Sequence, residues 1–344
     1  MDKKSYLNWL VEETETGWWH DSADPHEIQQ AKTRGAQGIT TNPFLTAAAL
    51  LKNSERWADE TRAVVAAGID PERKAEELMR MVVTPAAEFY AHSFASSGGK
   101  TGYVCVQVNP YSTGDRDSMM AMARRLHSWA PNIAVKVPAV AAGLDVLEDC
   151  VAEGIAVMAT ISFTVSQLIA IAEGNRAGIR RAAAAGIQPG KCFSVIMIGR
   201  LDDYLREVAR DNGAEVSESD IRQAGLAVAK RAYRIYRENV YESVLLIAAL
   251  RGAYHLTELA GAALIASLSP EAQEWFYTKE YPREKRIGND VPADTIARLR
   301  TLVEFEKAFD PDGMIPKDFI SYGVTQRTLG QYSEAGWRLL ENAD

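Results

Sequence analysis

The chain has 344 residues, 47% of them hydrophobic, and a formal net charge of −8 at pH 7. This size and composition suit one large globular domain or two ordinary ones. The acidic balance gives no general electrostatic support to a nucleic-acid or anionic-membrane partner, so we expect neither.

Three cysteines, Cys105, Cys150 and Cys192, are spaced too widely to suggest a disulfide framework or a metal site. Residues 1–5 are not followed by the apolar segment of a signal peptide. No stretch approaches the roughly 18 apolar residues of a membrane span. The expectation is a cytoplasmic globular protein.

In chain order, the first predicted element is a helix over residues 5–16, before the first strand. Asp24 and Pro25 are typical of a helix cap and first turn, so a second helix is predicted there. A long helical region with a break at residues 68–71 covers residues 44–97. The eight predicted strands are residues 17–21, 38–41, 103–108, 132–138, 155–162, 193–198, 243–250 and 262–267. The later predicted helices are residues 117–129, 144–153, one that begins at 165, 204–212 and 220–238.

Eight strands that alternate with helices and are joined by short turns are typical of an α/β fold, the closed (β/α)8 TIM barrel. A doubly wound open sheet is the alternative, but no strand is followed by its Gly-rich phosphate loop. The tail has no strand pattern and is expected to wrap the barrel as helices. We therefore expect a single domain over residues 1–344, with extra N-terminal helix and with residues 270–344 as a helical C-terminal extension.

The predicted fourth strand, residues 132–138, is an apolar run interrupted by Lys136. Such runs are typical of buried parallel strands. A lysine taken out of water loses its proton more easily, and a neutral amine can attack a carbonyl to form a Schiff base. The alternative is a structural lysine whose stem packs on the wall while its head reaches water or a partner.

Polar residues fall at or near the ends of most predicted strands. In a barrel of this type the active site lies at the C-terminal ends of the strands, so these side chains are expected to converge there. The residues concerned are Asp21, Asn42, Gln107, Lys136, Thr160, Ser162, Arg200 and Arg251.

Each of these residues also has an ordinary structural explanation. Asn42 precedes Pro43 as in a common turn, and Gln107 could face a helix. Arg200 could form a surface pair with the aspartates that follow it, and Arg251 could do the same with Glu258. Surface pairs of this kind usually contribute little to stability. They would explain the two arginines without any role in a functional site.

Several short motifs in this order resemble those of the transaldolase family. The resemblance extends over roughly residues 17–267 and is specific because its two main motifs occur together. Those motifs are Gly-Ile-Thr-Thr-Asn-Pro at 38–43 and Val-Lys-Val-Pro at 135–138, supported by 142–144, 154–155, 159–160 and 198–200.

The family is a group of class I aldolases on a (β/α)8 barrel without metal or organic cofactor, so the resemblance implies no cofactor here. It implies that Lys136 is the Schiff-base nucleophile and Asp21 an acid/base. Asn42 and Thr160 would position the substrate or a catalytic water. Arg200 and Arg251 would bind the anionic end of a sugar phosphate, for which guanidinium geometry is well suited.

The chain departs from the family pattern at four positions. Gln107 stands where transaldolases have a glutamate, as in the fructose-6-phosphate aldolases, but Met197 replaces the tyrosine that accompanies that glutamine. Ala249 stands where a phosphate-binding serine is usual, and Val195 replaces another serine. Ser194 lies beside it, so Ser194 and Ser162 are kept as candidate substrate-binding residues. The departures leave the acceptor and the anion open.

The expected function is transfer of a three-carbon dihydroxyacetone unit from a ketose, or ketose phosphate, to an aldehyde acceptor. One alternative is a lyase that releases dihydroxyacetone, and another is a barrel that binds sugar phosphates without turnover. A metal enzyme is disfavoured because the five histidines form no ligand set with carboxylates. The sequence leaves open whether the chain forms a homo-oligomer.

Overall fold

The computed structural model describes residues 5–344, and the prediction about a signal segment therefore rests partly on residues outside this range. Eight parallel strands form a closed barrel in chain order, with the last strand paired to the first. The predicted (β/α)8 barrel is confirmed. The strands are β1 Gly17–Asp21, β2 Ile39–Thr40, β3 Val104–Gln107, β4 Ile133–Pro138, β5 Val157–Thr160, β6 Cys192–Ile196, β7 Val244–Ile247 and β8 Leu264–Leu268.

Helices surround the barrel and continue beyond it. Short 3-10 helices lie at Pro110–Ser112 and Pro316–Ser321, and a π-helical turn lies at Ser333–Trp337. The α-helices are α1 Tyr6–Glu13, α2 Pro25–Thr33, α3 Pro43–Lys52, α4 Ser54–Ala66, α5 Pro71–Ser96, α6 Arg116–His127, α7 Ala141–Ala152, α8 Val165–Ala185, α9 Ile198–Asp211, α10 Glu218–Glu238, α11 Ala253–Thr257, α12 Pro270–Thr278, α13 Ala293–Leu299, α14 Val303–Phe309, α15 Gly323–Tyr332 and α16 Arg338–Glu341.

The inside of the barrel is filled by large side chains below the strand ends. Successive residues of a strand point to opposite faces, so Trp19 shares the inner face with Asp21, two residues further on. The Trp19 ring is buried and lies 4.9 Å from that of Phe193, centre to centre. Tyr103 packs against the same Phe193 ring at 5.2 Å. This aromatic layer closes the barrel from below, so polar chemistry is confined to its upper end.

Several boundaries differ from the prediction. The region 44–97 contains three helices, because the chain breaks at Asn53 as well as before Pro71. The sixth and seventh strands end earlier than predicted, at Ile196 and Ile247. Beyond β7 the backbone of Ala249 takes a φ of 58°, which turns the chain out of the strand direction.

The tail after β8 is helical and crosses the C-terminal end of the barrel. Gly336 packs so closely on α3 that a Cβ there would lie 2.6 Å from the backbone nitrogen of Phe44. The hydroxyl of Tyr111 donates to Glu334 at 2.9 Å. The tail therefore contributes to the barrel mouth, although its assignment to one domain with the barrel stays a prediction. Within residues 5–344, no helix has both the length and the apolar character required to span a bilayer.

Candidate active site

A cavity of about 220 Å3 opens at the C-terminal ends of the strands. This is the end at which barrels of this type carry their active sites. The predicted site residues that line it are Asp21, Asn42, Lys136, Thr160, Arg200 and Arg251.

Lys136 lies in β4 with only 6% of its surface exposed. Its Nζ donates to the backbone carbonyl of Thr41 at 3.0 Å. Among the described residues no carboxylate forms an ion pair with it. The amine faces the cavity with one neutral acceptor, which leaves its nitrogen accessible to an electrophile.

Asp21 ends β1 and lies in register with Thr40 of β2. The Thr40 hydroxyl donates to the Asp21 carboxylate at 2.7 Å, and its oxygen is 2.5 Å from that of Ser267. Because Thr40 has a single hydroxyl hydrogen and donates it to the carboxylate, Ser267 is the donor of the second bond. This chain of hydroxyls orients the carboxylate towards the cavity.

The Thr-Thr-Asn-Pro motif connects β2 to α3, and its two threonines and its asparagine each have separate contacts. Besides binding Lys136 through its carbonyl, Thr41 donates its hydroxyl to the carbonyl of Cys105 at 2.6 Å. Asn42 caps α3, since its Oδ1 accepts from the backbone of Leu45 at 2.9 Å. The other half of the amide, the NH2 group, is the part of Asn42 left to meet a ligand.

Gln107 and Thr160 end the strands on either side of Lys136. Thr160 is buried and lines the cavity. Gln107 is paired in register with Lys136 but does not line the cavity. Its Oε1 is buried and has no hydrogen-bond partner among residues 5–344. An amide in this place can orient a molecule that enters the barrel, although it does not titrate near neutral pH.

The two arginines reach the cavity from different elements. Arg200 lies in the first turn of α9, and its buried Nε has no hydrogen-bond partner in the described part of the chain. Its guanidinium lies 5.6 Å from the centre of the Tyr332 ring. Arg251 is 39% exposed and pairs with Asp203 at 2.7 Å, not with Glu258 as the alternative held. Arg200 thus keeps one unbonded donor, while Arg251 reaches the rim of the same cavity with its guanidinium held by Asp203.

The two predicted serines do not line the cavity. Ser194 lies between Phe193 and Val195 on β6, and its hydroxyl donates to Ser243 at 3.0 Å on the outer side of the strand. Ser162 follows Ile161, whose φ of 57° turns the chain away from the cavity. The Ser162 hydroxyl is buried and donates to the carbonyl of Val195. Neither hydroxyl is placed to contact a ligand in this cavity.

Some cavity residues were missed by the sequence analysis. Ser267 and Ser269 follow the strand-end rule, and a closer reading of the eighth strand could have found them. Gln331 and Tyr332 come from α15 in the tail. No strand-based pattern indicates these two, because they reach the mouth only through the folding of the extension.

Cys105 lies below the site, and burial raises the pKa of its thiol to about 12. It is therefore a small apolar core residue and not a nucleophile. His20, adjacent to Asp21, faces outwards and accepts a hydrogen bond from Gln273 through Nδ1 at 2.8 Å. Among residues 5–344, no three histidine, cysteine, aspartate or glutamate side chains are grouped so as to hold a metal ion.

A parallel (β/α)8 barrel with a buried lysine, a carboxylate and an arginine facing one strand-end cavity is typical of a Schiff-base aldolase. The family model described as "Transaldolase/Fructose-6-phosphate aldolase" matches residues 18–315. The chain therefore belongs to this family, and it is an enzyme of the transaldolase kind.

Individual relatives agree with this assignment. The transaldolase of Thiobacillus denitrificans is 28% identical over 90% of this chain and 88% of its own length. Transaldolase 1 of Streptomyces coelicolor is 29% identical over 65% of this chain and 61% of its own length. The transaldolase of Neisseria gonorrhoeae is 29% identical over 92% of this chain and 83% of its own length. The predicted family is confirmed, and the roles of individual residues stay predictions.

Proposed function

We propose that Lys136 forms a Schiff base with the keto carbon of a ketose phosphate and that the enzyme transfers a dihydroxyacetone unit to an aldehyde. The observation that carries the proposal is the buried amine of Lys136, which forms no ion pair with a carboxylate among residues 5–344 and faces a cavity that Asp21, Asn42 and Thr160 also line. A carboxylate near the lysine can both accept protons and stabilise the positive iminium.

The steps use these groups in order. The neutral amine of Lys136 adds to the keto carbon, and the resulting carbinolamine loses water to give an iminium. The Asp21 carboxylate takes the proton of the C4 hydroxyl as the C3–C4 bond breaks. The electron pair of the C3–C4 bond moves into the iminium, which leaves an enamine on the lysine and releases the first aldehyde. The acceptor aldehyde then bonds to the enamine carbon, and its oxygen receives the proton from Asp21, which gives a new iminium on Lys136. Addition of water to this iminium releases the product ketose and restores the amine.

The anionic end of the sugar would lie against Arg200 and Arg251 at the rim of the cavity. The free Nε of Arg200 and the rim position of Arg251 support this placement. Ser162 and Ser194, being outside the cavity, are left out of the binding set. A small sugar phosphate is the proposed substrate, and the cytoplasmic location and the absence of a nucleic-acid partner stay predictions.

Borohydride trapping tests the covalent step. The protein is incubated with fructose 6-phosphate and borohydride, and the modified peptide is identified by mass spectrometry. We expect an adduct on the peptide containing Lys136 and none in Lys136→Met. Lys230→Met is the matched control, because Lys230 is equally buried but donates to backbone carbonyls outside the barrel. An adduct that survives in Lys136→Met would refute the assignment.

Product analysis separates transfer from the two alternatives. With an aldehyde acceptor present, we expect a new ketose and little free dihydroxyacetone. Release of dihydroxyacetone at the same rate without an acceptor would identify a lyase. Binding without any adduct or product would identify a non-catalytic sugar-phosphate protein.

A further inference from the structure

His255 is hydrogen-bonded to the backbone of the loop after β7 that carries Arg251. The backbone N–H of Arg251 donates to Nδ1 of the His255 ring at 3.1 Å. The ring lies in α11 and is completely buried. Because Nδ1 accepts this bond, it carries no hydrogen, and the hydrogen of the neutral imidazole lies on Nε2.

The second ring nitrogen of His255 is bonded to α9. Its Nε2 is 2.8 Å from Oδ2 of Asp202, which is also completely buried. The other oxygen of Asp202 accepts from the backbone N–H of Gly225 in α10 at 2.8 Å. Asp202 thus has a donor on each oxygen, as a buried carboxylate requires. An imidazole whose Nε2 faces a carboxylate is held in the Nε2–H tautomer.

Asp203, next to Asp202 on α9, binds the Arg251 side chain. Its Oδ2 accepts from Arg251 Nε at 2.8 Å. The same helix carries Arg200 in its first turn. Two adjacent aspartates therefore connect α9 to the Arg251 loop. Asp202 does so through His255 and the backbone of Arg251, and Asp203 does so through the Arg251 guanidinium.

Two glycines allow this close approach of α9, α10 and the loop. A Cβ on Gly199 would lie 2.1 Å from the carbonyl oxygen of Ala249. A Cβ on Gly225 would lie 2.6 Å from the carbonyl oxygen of Ile198. The backbones are thus packed without side chains between them, so small shifts of the loop are resisted by α9 itself.

We propose that His255, bonded to Asp202, is a positioning residue for the anionic end of the substrate. It holds the backbone of Arg251 in fixed relation to Arg200, so that both guanidinium groups face the same cavity. The inference rests on the proposed function, because it requires the two arginines to bind the substrate. It assigns no contact between His255 and the sugar.

The sharpest test is Asp202→Asn, which keeps the shape of the side chain. The Asn has one acceptor oxygen, so it cannot satisfy both donors that Asp202 binds, the Gly225 N–H and the His255 Nε2–H. With this oxygen on Gly225, the NH2 group faces the His255 ring as a donor. Nε2 of His255 must then accept this bond, so the ring hydrogen moves to Nδ1. The Nδ1–H and the backbone N–H of Arg251 are then two donors facing each other, and neither has an acceptor. A buried donor left without an acceptor is expected to raise the KM for fructose 6-phosphate roughly tenfold.

The expected result is specific to the anionic donor. KM for unphosphorylated fructose and the trapping of dihydroxyacetone on Lys136 should stay unchanged in Asp202→Asn. Asp220→Asn is the matched control, since Asp220 is a buried carboxylate bound to Arg298 away from the cavity. It should leave both KM values unchanged. Equal effects of Asp202→Asn on both donors, or no effect on either, would overturn the positioning role.

Nitrogen-15 NMR of the wild-type ring gives a second readout that does not depend on the variant folding. We expect the spectrum of neutral imidazole with hydrogen on Nε2. Hydrogen on Nδ1, or a doubly protonated ring, overturns the inference. Failure of wild-type protein to form an adduct on Lys136 would instead refute the proposed function, so the two failures are distinguishable.

Discussion

Replacing His20 by asparagine should reduce the loss in the free energy of unfolding that occurs when the pH is lowered from 7.5 to 4.5. His20 is 1% exposed, and burial lowers the pKa of its ring from 6.5 to about 4, against the opposing effect of Glu27 and Asp24. Between these two pH values the unfolded chain binds a proton that the folded chain does not. The contribution of neutral His20 to the free energy of unfolding is therefore present in full above pH 6.5, and it is lost as the pH falls towards 4.

The magnitude follows from the size of the pKa shift. About 2.5 pKa units correspond to about 3.4 kcal/mol when the shift is fully expressed. At pH 4.5 titration is incomplete, and about 2.5 kcal/mol of that is lost relative to pH 7.5. His20→Asn removes this dependence while its Oδ1 can replace Nδ1 as the acceptor for Gln273.

Urea unfolding of both proteins at pH 7.5 and pH 4.5 measures the effect. The free energy of unfolding should fall by about 2.5 kcal/mol more in the wild type than in His20→Asn. Hydrogen bonds from Asn53 and Lys52 outweigh burial and lower the pKa of Asp24 to about 2, so its contribution is lost below pH 4. Asp24 is present in both proteins and cancels in the difference. Equal losses in the two proteins would refute the reasoning.

Two further substitutions test the packing beneath and beside the site. Gly143→Ala places a Cβ 1.9 Å from the carbonyl oxygen of Pro138, at the end of the strand that carries Lys136, and should cost about 1–3 kcal/mol in urea unfolding. Gly114→Ala, where no atom lies within 4 Å of the added Cβ, should change stability by less than about 0.5 kcal/mol. Trp19→Ala empties the aromatic layer and should cost about 3–5 kcal/mol by the same measurement, and a loss below about 1 kcal/mol would contradict the packing described.

The barrel was predictable because its strands are buried on both faces. Such strands leave short β-branched runs between helical patterns, and eight of them in alternation indicate closure. Lys136 was conspicuous for the same reason, since a charged residue in a buried run needs an explanation. Asn42 and Asp21 followed from the strand-end rule, without knowledge of any contact.

The serines show where that reasoning stops. Ser194 was chosen because it lies beside Val195, but adjacent strand residues point to opposite faces. Since Val195 faces the cavity, Ser194 faces the helices, and alternation along β6 could have shown this. Ser162 fails for a different reason, because the turn at Ile161 is a backbone conformation that no residue pattern indicates for isoleucine.

By itself the sequence determined the barrel, the family and the lysine on which the proposed chemistry depends, because these are recorded in local patterns of burial and in contiguous motifs. Only the tertiary structure decided that Asp203 pairs with Arg251, that Asp202 orients His255, and that Tyr332 reaches the mouth from the tail. Those contacts join residues about 50 or more positions apart. Their geometry depends on how helices pack against one another, and no local pattern encodes that packing.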